Sequence, residues 1–140
     1  MEALAILQPV VAMGLLTSAM ALWMLLTRIP AMARLKIHPQ AAQDTSVLRD
    51  LLPPEIMRVS NNYNHLFEQP TLFYAIAITI ALLGHVDAIH VGCAWAYTGL
   101  RVVHSLVQAT VDIVRIRFGV FTLSWLALAI MIFREALAVF

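Results

Sequence analysis

Four apolar stretches, each close to the length that crosses a lipid bilayer, dominate this sequence. They cover residues 4–26, 66–83, 89–111 and 118–133. A helix needs roughly 20 apolar residues to span the hydrocarbon core, where it satisfies its own backbone hydrogen bonds. The chain is 61% hydrophobic and 12% charged, whereas a soluble domain carries about 25% charged residues. The sequence therefore predicts an all-α integral membrane protein, a bundle of four transmembrane helices.

The connections between these stretches predict one domain over residues 1–140, with helices at about 4–35, 55–83, 89–113 and 117–138. Most basic residues lie in the long first connection or the short third one, whereas residues 84–90 contain no Lys or Arg. The positive-inside rule then places the first and third connections in the cytoplasm and both termini outside. We expect a multi-pass protein of a bacterial inner membrane.

A polar stripe interrupts the third stretch. Arg101 stands near its middle, and further polar residues follow at spacings of three and four: His104, Ser105, Gln108 and Asp112. Such spacings place side chains on one face of a helix. A charge at bilayer depth costs at least about 2.5–3.5 kcal/mol, so it normally faces a bundle interior or a wet cavity and has a function. This face is the predicted site.

A second polar stripe opens the preceding helix and comprises Asn61, Asn64, His65 and Glu68. Both stripes reach the same side of the membrane in the predicted topology, and Glu68 and Arg101 are candidates for an ion pair. That pair could serve only to fix helix register. Alternatively, the surplus of guanidinium groups near Asn amides suits a ligand that carries carboxylates. Pro70, just beyond Glu68, predicts a bend.

Other motifs indicate little. His85, Asp87 and His90 fall on a short turn without a further metal ligand, so no metal site is predicted. No glycine-rich phosphate loop occurs. The formal net charge of +1 gives no indication of a nucleic-acid partner. Cys93 is the single cysteine, which excludes an intrachain disulfide.

Two segments resemble the MAPEG superfamily, the membrane-associated proteins of eicosanoid and glutathione metabolism. They are RVSNNYNHLFEQPTLFY at residues 58–74 and YTGLRVVHSLVQATVDIVRIRF at residues 97–118. The first is similar to the family's Asn- and Glu-containing helix start before a proline. The second is similar to its Gly-x-Arg-Val-x-His-Ser/Thr helix, which a cytoplasmic arginine follows. The resemblance implies a homotrimer with glutathione as bound co-substrate in a polar cleft between neighbouring subunits.

The resemblance also implies roles for particular residues. Arg117, sixteen residues after Arg101, matches the arginine that stabilises the glutathione thiolate in family enzymes. Gln108 stands where those enzymes often have a tyrosine. The expected glutathione-binding residues are Arg34, Asn64, Glu68, Arg101, His104 and Gln108.

The resulting prediction is a membrane glutathione transferase or peroxidase that acts on a hydrophobic electrophile or peroxide arriving from the lipid. A non-catalytic lipid-binding or scaffold protein of the same superfamily is the alternative, because it would keep the cavity without activating a thiol. A small transporter or proton relay built on Glu68, Arg101 and Asp112 is a third possibility, although four spans without broken repeats argue against it.

Overall fold

The computed structural model describes residues 2–140, and within that range the chain is helical without strands. A short 3₁₀ turn, Pro39–Gln43, lies in the first connection. The six α-helices in chain order are α1 Ala3–Arg34, α2 Leu48–Leu51, α3 Pro54–His65, α4 Gln69–Leu83, α5 Ala88–Ala109 and α6 Val114–Val139.

The core lies among α1, α4, α5 and α6. Helix α1 contributes Ile6, Met13 and Met20, which are spaced by seven residues and therefore lie on one helix face. Phe73 of α4 and Tyr97 of α5 stack with ring centroids 4.4 Å apart and planes inclined by 17°. These contacts fix α5 against the other long helices.

Beside its apolar core the bundle buries several polar side chains, and its outer surface is rich in apolar ones. Helix α5 buries Arg101, His104 and Gln108, whereas Leu82 of α4 is 81% exposed and Phe133 of α6 is 66% exposed. A soluble domain has the opposite arrangement, since large exposed apolar areas are unfavourable in water. Together with helix length, this distribution supports an integral membrane protein.

Three segments are long and apolar enough to cross a membrane, namely Ala3–Arg34, Pro54–Leu83 and Val114–Val139. Helix α5 is not among them. Its 22 residues reach about 33 Å at about 1.5 Å per residue, but the polar face lowers its mean hydropathy. The fourth span therefore remains a prediction.

The single helix predicted at about 55–83 is instead two helices, because the chain leaves helical geometry at residues 66–68. Pro70 has no backbone N–H, and in a continuous helix its ring would clash with the carbonyl of residue 66. Pro70 therefore lies in the first turn of a new helix, α4, rather than at a bend. The Ser124 hydroxyl of α6 lies 3.1 Å from Gln69 Oε1 and 2.7 Å from the Phe121 carbonyl, and its contact with Gln69 holds the start of α4 against α6.

Helix α5 ends at Ala109 rather than near residue 113, and α6 begins at Val114 rather than near residue 117. Asp112, in the turn between them, adopts a positive φ of 50°. The Arg58 guanidinium donates to the Thr110 carbonyl at 2.9 Å. This bond places α3 beside the α5–α6 turn, so the two basic connections share one end of the bundle.

Candidate functional site

The side chain of Arg101, on α5, is fully buried and faces α3. Its Nη2 donates to Nδ1 of His65 at 3.1 Å. Because a guanidinium only donates, Nδ1 is the acceptor, and a neutral His65 therefore carries its proton on Nε2. The Nε and Nη1 atoms of Arg101 have no hydrogen-bond partner in residues 2–140. This cation thus has donor capacity that the described protein does not use.

The predicted ion pair between Glu68 and Arg101 is wrong. No oxygen of Glu68 comes within 4.0 Å of the guanidinium in the described chain; its Oε2 lies 3.7 Å from His65 Nε2 instead, and its side chain is 67% exposed. Glu68 falls in the break between α3 and α4, which turns its side chain away from the buried face of α3. His65 therefore stands between the carboxylate and the arginine.

A recess of about 160 Å³ opens next to this arrangement. The imidazole rings of His65 and His104 lie 5.0 Å apart between centroids, and Phe121 contacts His65 edge-on at 5.5 Å. Arg117 also reaches the recess, where its guanidinium forms an ion pair with Asp112. The full lining comprises His65, His104, Val114, Arg117, Phe118 and Phe121.

The face of α5 behind this recess holds several buried polar atoms. Those without a hydrogen-bond partner in residues 2–140 include His104 Nδ1, Ser105 Oγ, Gln108 Oε1 and the Tyr97 hydroxyl. Asn62 of α3 is also fully buried, and both of its amide atoms lack a partner there. Buried polar groups are nearly always hydrogen-bonded in proteins. Such a row is suited to a polar ligand or ordered water.

Two of the predicted glutathione contacts lie elsewhere. Asn64 lines a different recess, between α1 and α3, beside Arg28 and Arg49. Arg34 is exposed at the end of α1, beside a cavity of about 310 Å³ that Pro53 also lines. The single chain thus brings Arg117 and His104 to one recess with Arg101 behind it, and leaves Asn64 and Arg34 apart from them.

The sequence did not single out the central position of His65, nor Phe118 and Phe121 as lining residues. The signal for His65 was its spacing of three from Glu68, which places both on one helix face. The two phenylalanines gave no such signal, because aromatic residues are common in membrane helices. In residues 2–140, no group of three or more His, Cys, Asp or Glu side chains is arranged to hold a metal ion.

Comparison with known proteins identifies one relationship. The sequence model of the MAPEG family matches residues 6–137, which is nearly the whole chain. No curated protein and no solved structure matches the chain.

Proposed function

Since the chain belongs to the MAPEG family, we propose that it is a membrane glutathione transferase or peroxidase that activates the glutathione thiolate. One observation carries this proposal. Arg117 and His104 line the same recess, and Arg101 lies behind it with unused donors. This recess combines positive charge with buried hydrogen-bond donors, as a binding site for an anionic thiol requires.

The donor groups fit glutathione, which carries two carboxylates. Arg101 keeps two unpartnered guanidinium nitrogens, and hydrogen bonds from a guanidinium to a carboxylate are among the strongest in proteins. Gln108 and Ser105 extend the same face with further polar atoms. These residues would bind and orient the peptide, and Arg117 lines the recess itself.

Arg117 would act on the thiol. A free thiol has a pKa of about 8.5, and an opposite charge within about 4–6 Å lowers the pKa of an acid by about 1–3 units. The guanidinium of Arg117 therefore raises the fraction of nucleophilic thiolate at neutral pH. Phe118 is 69% exposed and also lines the recess, so an apolar electrophile or peroxide can reach the thiolate from the lipid.

The proposed assembly is a homotrimer of subunits that each span the membrane four times, with both termini outside a bacterial inner membrane. The size of the recess supports assembly. Its volume of about 160 Å³ is below the roughly 300–1,000 Å³ of ligand pockets. A neighbouring subunit would supply the missing walls, and Arg34 and Asn64 would contact glutathione from there.

A non-catalytic lipid-binding protein is the second candidate, and one contact favours it. The ion pair with Asp112 neutralises part of the charge of Arg117, which weakens its effect on a thiol. Under this alternative, Arg117 and Asp112 only hold the α5–α6 turn.

Glutathione binding and conjugation of a model electrophile, measured in detergent with Arg117→Ala, test the proposal. We expect Arg117→Ala to raise the apparent pKa of the bound thiol and to lower the rate at pH 7 several-fold, because a rise in thiol pKa from about 7.5 to about 8.5 lowers the thiolate fraction at pH 7 from about 24% to about 3%. Arg115→Ala is the matched control, since Arg115 is an exposed arginine two residues away that does not line the recess.

Equal rates for wild type and Arg117→Ala would refute the assigned role of Arg117. Lipid binding without any affinity for glutathione would instead support the second candidate.

A further inference from the structure

Two adjoining cavities on the outer side of α3 share one residue, Arg28. The first is a polar recess of about 260 Å³ between α1, the first connection and α3. The second is an apolar groove of about 460 Å³ along the end of α1. Neither includes a residue that lines the His104–Arg117 recess, and the inference below does not depend on glutathione chemistry.

The polar recess carries an excess of positive charge. Arg28 and Arg49 line it, and neither makes an ion pair or side-chain hydrogen bond within residues 2–140. Asp44 is the one acidic residue in its wall, and its Oδ1 already accepts from the Ser46 backbone N–H at 2.9 Å. Two arginines thus face a single carboxylate that is already hydrogen-bonded, so the recess favours binding of an anion.

A buried hydroxyl adds a second and independent indication of a ligand. Ser60 lines the same recess, is only 4% exposed, and its Oγ has no hydrogen-bond partner in residues 2–140. The amide of Asn61 adds a neutral donor. Guanidinium forks with hydroxyl and amide donors are the groups that bind phosphate oxygens in proteins.

The groove continues from the recess on the other side of Arg28. Its walls are apolar, with Leu25, Ile29, Met32 and Ile37 among them. A free phosphate would use the polar recess alone. An amphiphile with a phosphate head and an acyl chain would use both cavities and would place its head beside Arg28.

The position of Arg28 along α1 indicates the same ligand class. The apolar stretch 4–26 ends two residues before it, so Arg28 lies where the hydrocarbon core gives way to headgroups. Basic residues at this depth attract anionic lipids by about 1 kcal/mol each.

We infer that this chain binds an anionic phospholipid, with the phosphate between Arg28 and Arg49 and an acyl chain in the groove of Ile29 and Met32. The site is distinct from the recess of Arg117.

The test measures binding of dioctanoyl phosphatidylglycerol and of inorganic phosphate to the full chain in a neutral detergent. Arg28→Gln and Arg49→Gln are each expected to weaken lipid binding about fivefold, which corresponds to about 1 kcal/mol. Arg115→Gln is the matched control and should bind the lipid as wild type does.

Ala33→Phe separates a lipid from a free phosphate. Ala33 is exposed and lines only the groove, so the larger ring displaces the acyl chain. Lipid binding should fall about fourfold for each methylene excluded, while phosphate binding stays unchanged. Melting curves by circular dichroism would verify that each variant folds.

Two results would overturn the inference. One is a similar loss for Arg115→Gln and Arg28→Gln, because it would show that any surface arginine attracts the lipid. The other is inorganic phosphate binding as tightly as the lipid, with Ala33→Phe without effect, because it would reduce the site to one for free phosphate.

Discussion

Replacing Arg101 with methionine is expected to stabilise the ligand-free protein while abolishing glutathione binding. Arg101 is fully buried, donates one hydrogen bond to a neutral imidazole, and leaves two nitrogens without a partner in residues 2–140. Replacing buried ionic groups with well-packed apolar residues often stabilises a protein by about 1–4 kcal/mol. His65 Nδ1 loses its donor, which costs about 1 kcal/mol. The net expectation is a gain of about 0–3 kcal/mol in the free energy of unfolding.

The assay is unfolding in mixed micelles, in which SDS is titrated into a neutral detergent and helicity is followed by circular dichroism. Arg101→Lys is the control, because it retains the buried charge but not the planar fork, and it should show no gain. In the same assay, glutathione at about 100 times its Kd should stabilise the wild type by about 2.7 kcal/mol. It should leave Arg101→Met unchanged.

A loss of more than about 2 kcal/mol in ligand-free Arg101→Met would refute this reasoning. Such a loss is expected if the guanidinium holds α3 and α5 together through His65. Stabilisation without any change in glutathione affinity would separate the buried charge from the proposed ligand and would remove Arg101 from the site.

Three smaller perturbations test other parts of the bundle. Asp87 accepts from the His90 backbone N–H at 2.8 Å, and this bond lowers the pKa of its carboxyl below 3.8. Wild type should therefore be thermally more stable than Asp87→Asn above pH 3.8, and this advantage should be lost as the pH falls through the lowered pKa. Ser124→Ala should cost about 1 kcal/mol in micelle unfolding, because the polar contact between Ser124 Oγ and Gln69 Oε1 is lost. Tyr97→Phe should leave stability unchanged or slightly higher, since the buried hydroxyl has no partner in residues 2–140; a clear loss would show that the hydroxyl is engaged.

Hydropathy and helical periodicity predicted much of the fold. The apolar stretches correspond to long helices because a lipid environment leaves the backbone few alternatives. On α5, the spacing of Arg101, His104 and Gln108 correctly placed all three on one buried face. In an uninterrupted helix each residue is rotated by a constant angle from the one before it. The spacing of residues in the sequence therefore predicts which side chains share a face.

The positions of the other site residues depend on two places where the helices are interrupted. The interruption at residues 66–68 decouples Glu68 from α3, so its spacing from Asn64 no longer describes their relative positions. Asn64 points to the α1 side, while His65 points to Arg101. Arg117 reaches His104 across a turn in which Asp112 has a positive φ. The spacing of residues in the sequence does not predict where side chains lie after such a turn.

The three residues between α3 and α4 separate the two helices mechanically. A continuous helix resists twisting about its axis, so a substitution that rotates one end of the helix about that axis also rotates the other end. Here α4 is anchored separately through Gln69 and Ser124, and the chain at the interruption forms its own backbone hydrogen bonds, such as that from Phe67 N–H to the Asn64 carbonyl at 3.0 Å. A substitution that turns α3 about its axis therefore need not turn α4, whose start is held by its own contact with α6.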